Sequence, residues 1–134
     1  WEEVDVIRAT DPSRPARNFG WNVMEGLHCY NASSCDQSGL SLPVAEYDHG
    51  QGCAIVGGYV ARDPAEPALY GGYVYGDDCS GNIWVLDAAR PESQAPVRLL
   101  DSGHTISSFG EDEQGALYLT DLGSGTLFRI VPNP

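Results

Sequence analysis

Two loop histidines and a set of carboxylates carry most of the chemistry this chain can offer. Asp48-His49-Gly50 and Gly103-His104-Thr105 each place an imidazole just ahead of a predicted strand, while Asp77, Asp78 and Asp121 lie where a strand runs into its turn. An imidazole can act as a base near neutral pH, and converging carboxylates can hold calcium. Asp77 and Asp121 also occupy the same place in an internal repeat, which equally reads as the capping of a structural turn. Glu111-Asp112-Glu113 precedes Gln114-Gly115 and reads as a solvated hairpin tip, without the spacing of an EF-hand loop. Tyr59, Tyr70, Tyr73, Tyr75 and Trp84 could stack on a sugar or a flat cofactor, although aromatic residues at alternating strand positions commonly pack a sheet. The sequence contains no GxSxG, P-loop, GxGxxG or Cys-His nucleophile pattern, so its motifs assign no catalytic residue.

The elements that must position these residues follow from the repeat. YGDDCSGNIWVL, starting at residue 75, returns as LTDLGSGTLFRI, starting at residue 119 and thus 44 positions later. Asp77 falls on Asp121, Ser80 on Ser124, Gly81 on Gly125, Ile83 on Leu127, Trp84 on Phe128 and Leu86 on Ile130. A period of this size suits propeller blades, each a four-stranded antiparallel sheet. Runs rich in Tyr, Val, Ile and Trp predict strands over 53–61, 69–77, 82–87 and 97–101, then over 106–111, 116–121 and 126–131. The first portion predicts strands at 3–7, 19–23 and 44–47 around a Cys-bearing loop, and no segment has a helical period.

The expected fold is therefore all-β, a partial β-propeller of two to three four-stranded antiparallel blades. The first blade, 1–49, is irregular, the second is 50–101, and the third, 102–134, lacks its outer strand. The rest of a propeller or another copy of the chain is expected to supply that strand. Alternation of strand direction places Asp48, His49, Asp77, Asp78, His104 and Asp121 on one rim and Arg62, Asp63 and Glu66 on the other.

Nineteen acidic residues against seven basic ones, all arginine, give a formal charge of −12. That field repels nucleic acid and anionic lipid and leaves neutral ligands and cations as partners. No apolar run approaches the roughly 20 residues that span a bilayer, so the chain reads as soluble. Four cysteines, Cys29, Cys35, Cys53 and Cys79, lack paired CxxC spacing and favour disulfides formed outside the cytosol. Paired residues of an antiparallel hairpin have a constant sum, and a register that joins Cys53 to Cys79 puts Gly57 opposite Tyr75 with a turn at Pro64–Pro67. Cys29 and Cys35 then close a small loop. Asn31-Ala32-Ser33 fits the N-glycosylation pattern, which gains meaning only in a eukaryote. The start at Trp1, without an initiator Met or a leader, reads as a cut end.

Several ordered blocks, NFGWNVMEGLHCY (18–30), PVAEYDH (43–49), GGYVARD (57–63), ALYGGYVYGDDCSGNIWVLD (68–87) and ISSFGEDEQGALYLTDLGSGTLFRI (106–130), resemble the C-terminal part of the glucose/sorbosone dehydrogenase family. The resemblance implies a secreted or periplasmic six-bladed propeller, extracellular or periplasmic in location, that binds pyrroloquinoline quinone (PQQ) and calcium and oxidises the anomeric hydroxyl of an aldose. On that basis His49, Asp78, His104 and Arg62 are the candidate cofactor contacts, with Asp77 and Asp121 as candidate metal ligands. The family's His-x-Gly-Gly base block does not occur in this sequence, so the piece is expected to be inactive alone. Ala61, Asp63, Asp78 and Asn82 depart from the family's blocks. Those at Asp78 and Asn82, with the acidic field, motivate an alternative: a non-catalytic extracellular propeller that binds a secreted protein ligand in place of a small-molecule sugar. A further alternative is self-association, three copies closing one ring.

Overall fold

The computed structural model describes residues 1–10 and 16–132. Every regular element among them is a strand, and none of them forms a helix that could cross a membrane. The chain forms two compact units, Trp1–His49 and Gly50–Pro134. The architecture is all-β, with small antiparallel sheets of two to four strands that make a partial β-propeller.

In the first unit β1 (Glu2–Val4) pairs with β4 (Ala45–Tyr47), and β2 (Met24–Glu25) pairs with β3 (His28–Cys29). The strand expected over 19–23 does not form. The amides of Val23 and Met24 both donate to the Gly20 carbonyl, at 2.6 and 2.8 Å, which folds the segment into a turn and starts the ladder later, at Met24. The predicted 3–7 strand likewise ends early, at Val4. A disulfide joins Cys29 to Cys35.

The second unit holds two meandering sheets. β5 (Ile55–Val60), β6 (Gly72–Asp77), β7 (Asn82–Asp87) and β8 (Val97–Asp101) pair in chain order. So do β9 (Ile106–Glu111), β10 (Leu117–Asp121) and β11 (Thr126–Arg129). Alternation in each strand sends one set of apolar side chains inward, and the sets meet as a core of Ala61, Val74, Ile83, Ile106, Phe109, Leu117, Leu119 and Ile130. β5 packs beside β9, so the first strands of successive blades are neighbours. The register facing Ile55 with Asp77 and Val56 with Gly76 shifts at a bulge, beyond which Tyr59 faces Val74. The expected Gly57 to Tyr75 pair is lost to that extra residue. Cys53 and Cys79, flanking this hairpin, form the second disulfide.

Candidate functional site

Asp77 ends β6 and is fully buried, and its carboxylate accepts three main-chain hydrogen bonds. The Cys53 and Ala54 amides donate to Oδ2 at 2.8 and 2.9 Å, and the Ser80 amide donates to Oδ1 at 2.7 Å. One side chain thus fastens the start of the first strand to the turn between the second and third. Asp121 does the same work in the following sheet. It accepts from the amides of Thr105, Gly123 and Ser124 at 3.0, 3.0 and 3.2 Å and from the Ser124 hydroxyl at 2.6 Å. That hydroxyl, against an opposing effect of burial and together with the Gly123, Thr105 and Ser124 amides, holds the Asp121 carboxyl down at about 2.

The structure brings His104 to Asp121, Nδ1 to Oδ2 at 3.3 Å, and stacks the imidazole on Phe128 with centroids 4.3 Å apart. Such a pair can orient an imidazole for proton transfer, but the neighbouring hydroxyl of Ser124 is turned to Asp121. Calcium takes about six to eight oxygen ligands. A cation at Asp77 or Asp121 would have to displace the amides that both carboxylates already serve, so this pair does not fit a calcium site.

Of the remaining candidates, Asp78 and Arg62 lie apart in the second unit and His49 belongs to the first. Asp78 lies beside the Cys53–Cys79 disulfide and its amide donates to the Ala54 carbonyl at 3.0 Å. Arg62, at the far end of β5, donates to the Val60 carbonyl at 3.3 Å and is exposed. His49 belongs to the first unit, where Nε2 lies 3.3 Å from Glu2 Oε1. Tyr73, Tyr75 and Trp84 form a stacked row with centroids 5.6 Å apart, and Tyr75 and Trp84 are buried, so this row is sheet packing. Burial raises the Tyr75 hydroxyl well above the usual phenol range.

Two open grooves of about 500 Å3 lie elsewhere in the second unit, one lined by Leu69, Tyr70, Val85, Asp87, Arg90 and Val97, the other by Asp63, Ala65, Asp112, Gln114, Ala116 and Arg129. Neither includes His104, Asp121 or Asp77 in its walls. In the second groove Arg129 Nη2 donates to Asp63 Oδ2 at 3.1 Å and lies 3.5 Å from Glu66 Oε1, which ties the two sheets at the rim away from the Asp turns. Asn82, which departs from the family's block, donates to the Gln51 carbonyl at 3.1 Å and accepts from Arg98 at 3.0 Å. Both ties cross long stretches of chain, and no local spacing could have revealed them.

No protein-family model matches the chain, and no solved structure matches it. Among curated proteins it is similar to the HIPL2 protein of Arabidopsis thaliana, 29% identical over 166 aligned residues that take in 98% of this chain and 23% of that protein. It is also similar to Hedgehog-interacting protein of mouse and of human, each 35% identical over 95 residues, or 58% of this chain and 13% of theirs. The chain thus spans less than a quarter of the length of these relatives. They correct the resemblance drawn from the ordered blocks. None is named as a glucose/sorbosone dehydrogenase, so the assignment to that family, and with it the oxidoreductase and PQQ reading, is withdrawn. The blocks misled because they encode blade strands and turns, which propellers of different function share. The two disulfides indicate an oxidising compartment, and plant and mammalian relatives give the periplasmic alternative no support.

Proposed function

We propose that this chain is part of an extracellular, non-catalytic β-propeller that binds a secreted protein ligand. The observation that carries the proposal is the 35% identity over 95 residues to proteins named for interacting with hedgehog. The geometry supports it, because the acidic residues best placed for chemistry, Asp77 and Asp121, organise turns instead. With a formal charge of −12, the chain favours a ligand with a basic face, and the attraction should weaken with salt. Among the described residues β11 is paired on one side only, and its other edge is where the rest of the propeller, or another copy, adds a strand.

The test is to immobilise the full-length protein and pass a purified hedgehog signalling protein over it at low and high salt. Saturable binding that weakens with salt supports the proposal. No saturable binding sinks the ligand, and steady dye reduction with an aldose would sink the non-catalytic part.

A further inference from the structure

The sequence holds one Asn-x-Ser/Thr tripeptide, Asn31-Ala32-Ser33, and the structure sets it on the loop closed by Cys29–Cys35. Five consecutive residues, Tyr30 to Ser34, are exposed, and Asn31 sits in a turn with φ 51°, outside every strand. Beside it lies an unusual surface for a soluble domain. Trp21 is 69% exposed and tilts against Tyr30 with ring centroids 4.8 Å apart. Val23 and Leu27, also in this region of the chain, are 42% and 48% exposed. The pair offers two exposed ring surfaces next to Asn31 in the chain.

We propose that Asn31 is an N-glycosylation site, and that its first sugars lie over the Trp21–Tyr30 pair. The amide nitrogen of Asn31 displaces the pyrophosphate from C1 of a lipid-linked oligosaccharide. An N–C1 bond forms, the C1–O bond breaks, and a proton and the lipid pyrophosphate leave. Ser33 supplies the hydroxyl that the transferring enzyme requires two residues on. The apolar CH face of a pyranose then stacks on the exposed rings. This inference rests on the extracellular reading above, since the donor is met only on the secretory route, and the relatives come from eukaryotes that use it.

The full-length protein is produced in eukaryotic cells, and medium and cells are collected separately. Reduction and alkylation, which open Cys53–Cys79, followed by cleavage after arginine release residues 18–62, which are treated with a peptide-N-glycosidase in heavy-oxygen water. The expected result is secreted protein whose fragment loses the mass of an oligosaccharide and carries the heavy-oxygen mark at Asn31. Asn31→Gln and Ser33→Ala abolish the mark, whereas Ser34→Ala keeps it. Secreted protein with an unmodified Asn31 overturns the site and leaves the extracellular reading standing. Protein retained in the cytosol without sugar overturns both. Binding of a hydrophobic dye should rise on deglycosylation of the wild type and not of Trp21→Ala, and equal binding before and after would overturn the stacking.

Discussion

Ile83 and Leu127 hold the same position in two copies of one turn-and-strand motif, yet Ile83 is 1% exposed and Leu127 is 62% exposed. The polar framework of the motif is preserved in both. Asp77 and Asp121 each accept amides from the turn and from the start of their blade, and Gly81 and Gly125 adopt left-handed φ values of 69° and 66°. What differs is the surroundings. A Cβ on Gly81 would lie 2.7 Å from the His104 carbonyl oxygen, whereas one on Gly125 would meet nothing within 4 Å. The turn is built by its own sequence, and its burial is supplied by the next repeat, as expected where stability is a sum of repeat and nearest-neighbour contributions.

That contrast can be broken at three paired positions. Asp77→Ala removes a fully buried carboxylate and leaves its three amides without that partner, which should cost about 4 kcal/mol, at roughly 1–3 per orphaned donor with some recovered by relaxation and water. Asp121→Ala, whose turn residues Gly123 and Ser124 are exposed, should cost clearly less, and urea midpoints that fail to separate the two would erase the distinction. Next, Ile83→Ala should lose about 3 kcal/mol of stability and Leu127→Ala less than about 0.5, read from the same unfolding curves. Gly81→Ala meets both left-handed strain and the His104 backbone and should cost about 2–3 kcal/mol, against about 1 for Gly125→Ala. Thermal melts giving equal losses would show that strain alone matters.

The smallest effect is with pH. Asp121 is held at about 2, below its usual 3.8, so its contribution is present above about pH 4 and is lost as pH falls through 2. Asp5, in the first unit, goes the other way. Burial first, and then the charge and hydrogen bond of Glu3, push it up to about 6. Its contribution is present below about pH 4 and is lost as pH rises through 6. Melting temperatures across pH 2–7 should show Asp121→Asn flattening the acid side and Asp5→Asn flattening the stretch from 4 to 6. A wild-type limb that survives either substitution removes that assignment.

The second unit was far more legible than the first. Strands 82–87, 97–101 and 106–111 stand where alternation and turn residues put them, since each is decided by neighbours within a few positions. Strand 53–61 was expected two residues too early because Cys53 and Ala54 are drawn aside to Asp77, a contact made 24 and 23 residues away. In the first unit Phe19–Val23 looked extended because of its aromatic and β-branched residues, but the Gly20 carbonyl captured two amides and made a turn. The shared role of Asp77 and Asp121 as turn organisers was open to a reading of the repeat. The anchoring of Asn82 by Gln51 and Arg98, and of Asp63 by Arg129, was not, because those partners lie 16 to 66 residues distant and only folding brings them together.

Both sheets of the second unit pair strictly in chain order, β5 through β8 and β9 through β11. Every ladder therefore closes a short loop, and none waits for a distant segment to arrive. Within these two sheets the loops to be closed are of modest length, so the entropy lost before the first ladders pair is limited. Each sheet's ladders can pair as soon as its own residues leave the ribosome, while their burial waits for the next repeat, so the blades are suited to being completed one after another during synthesis.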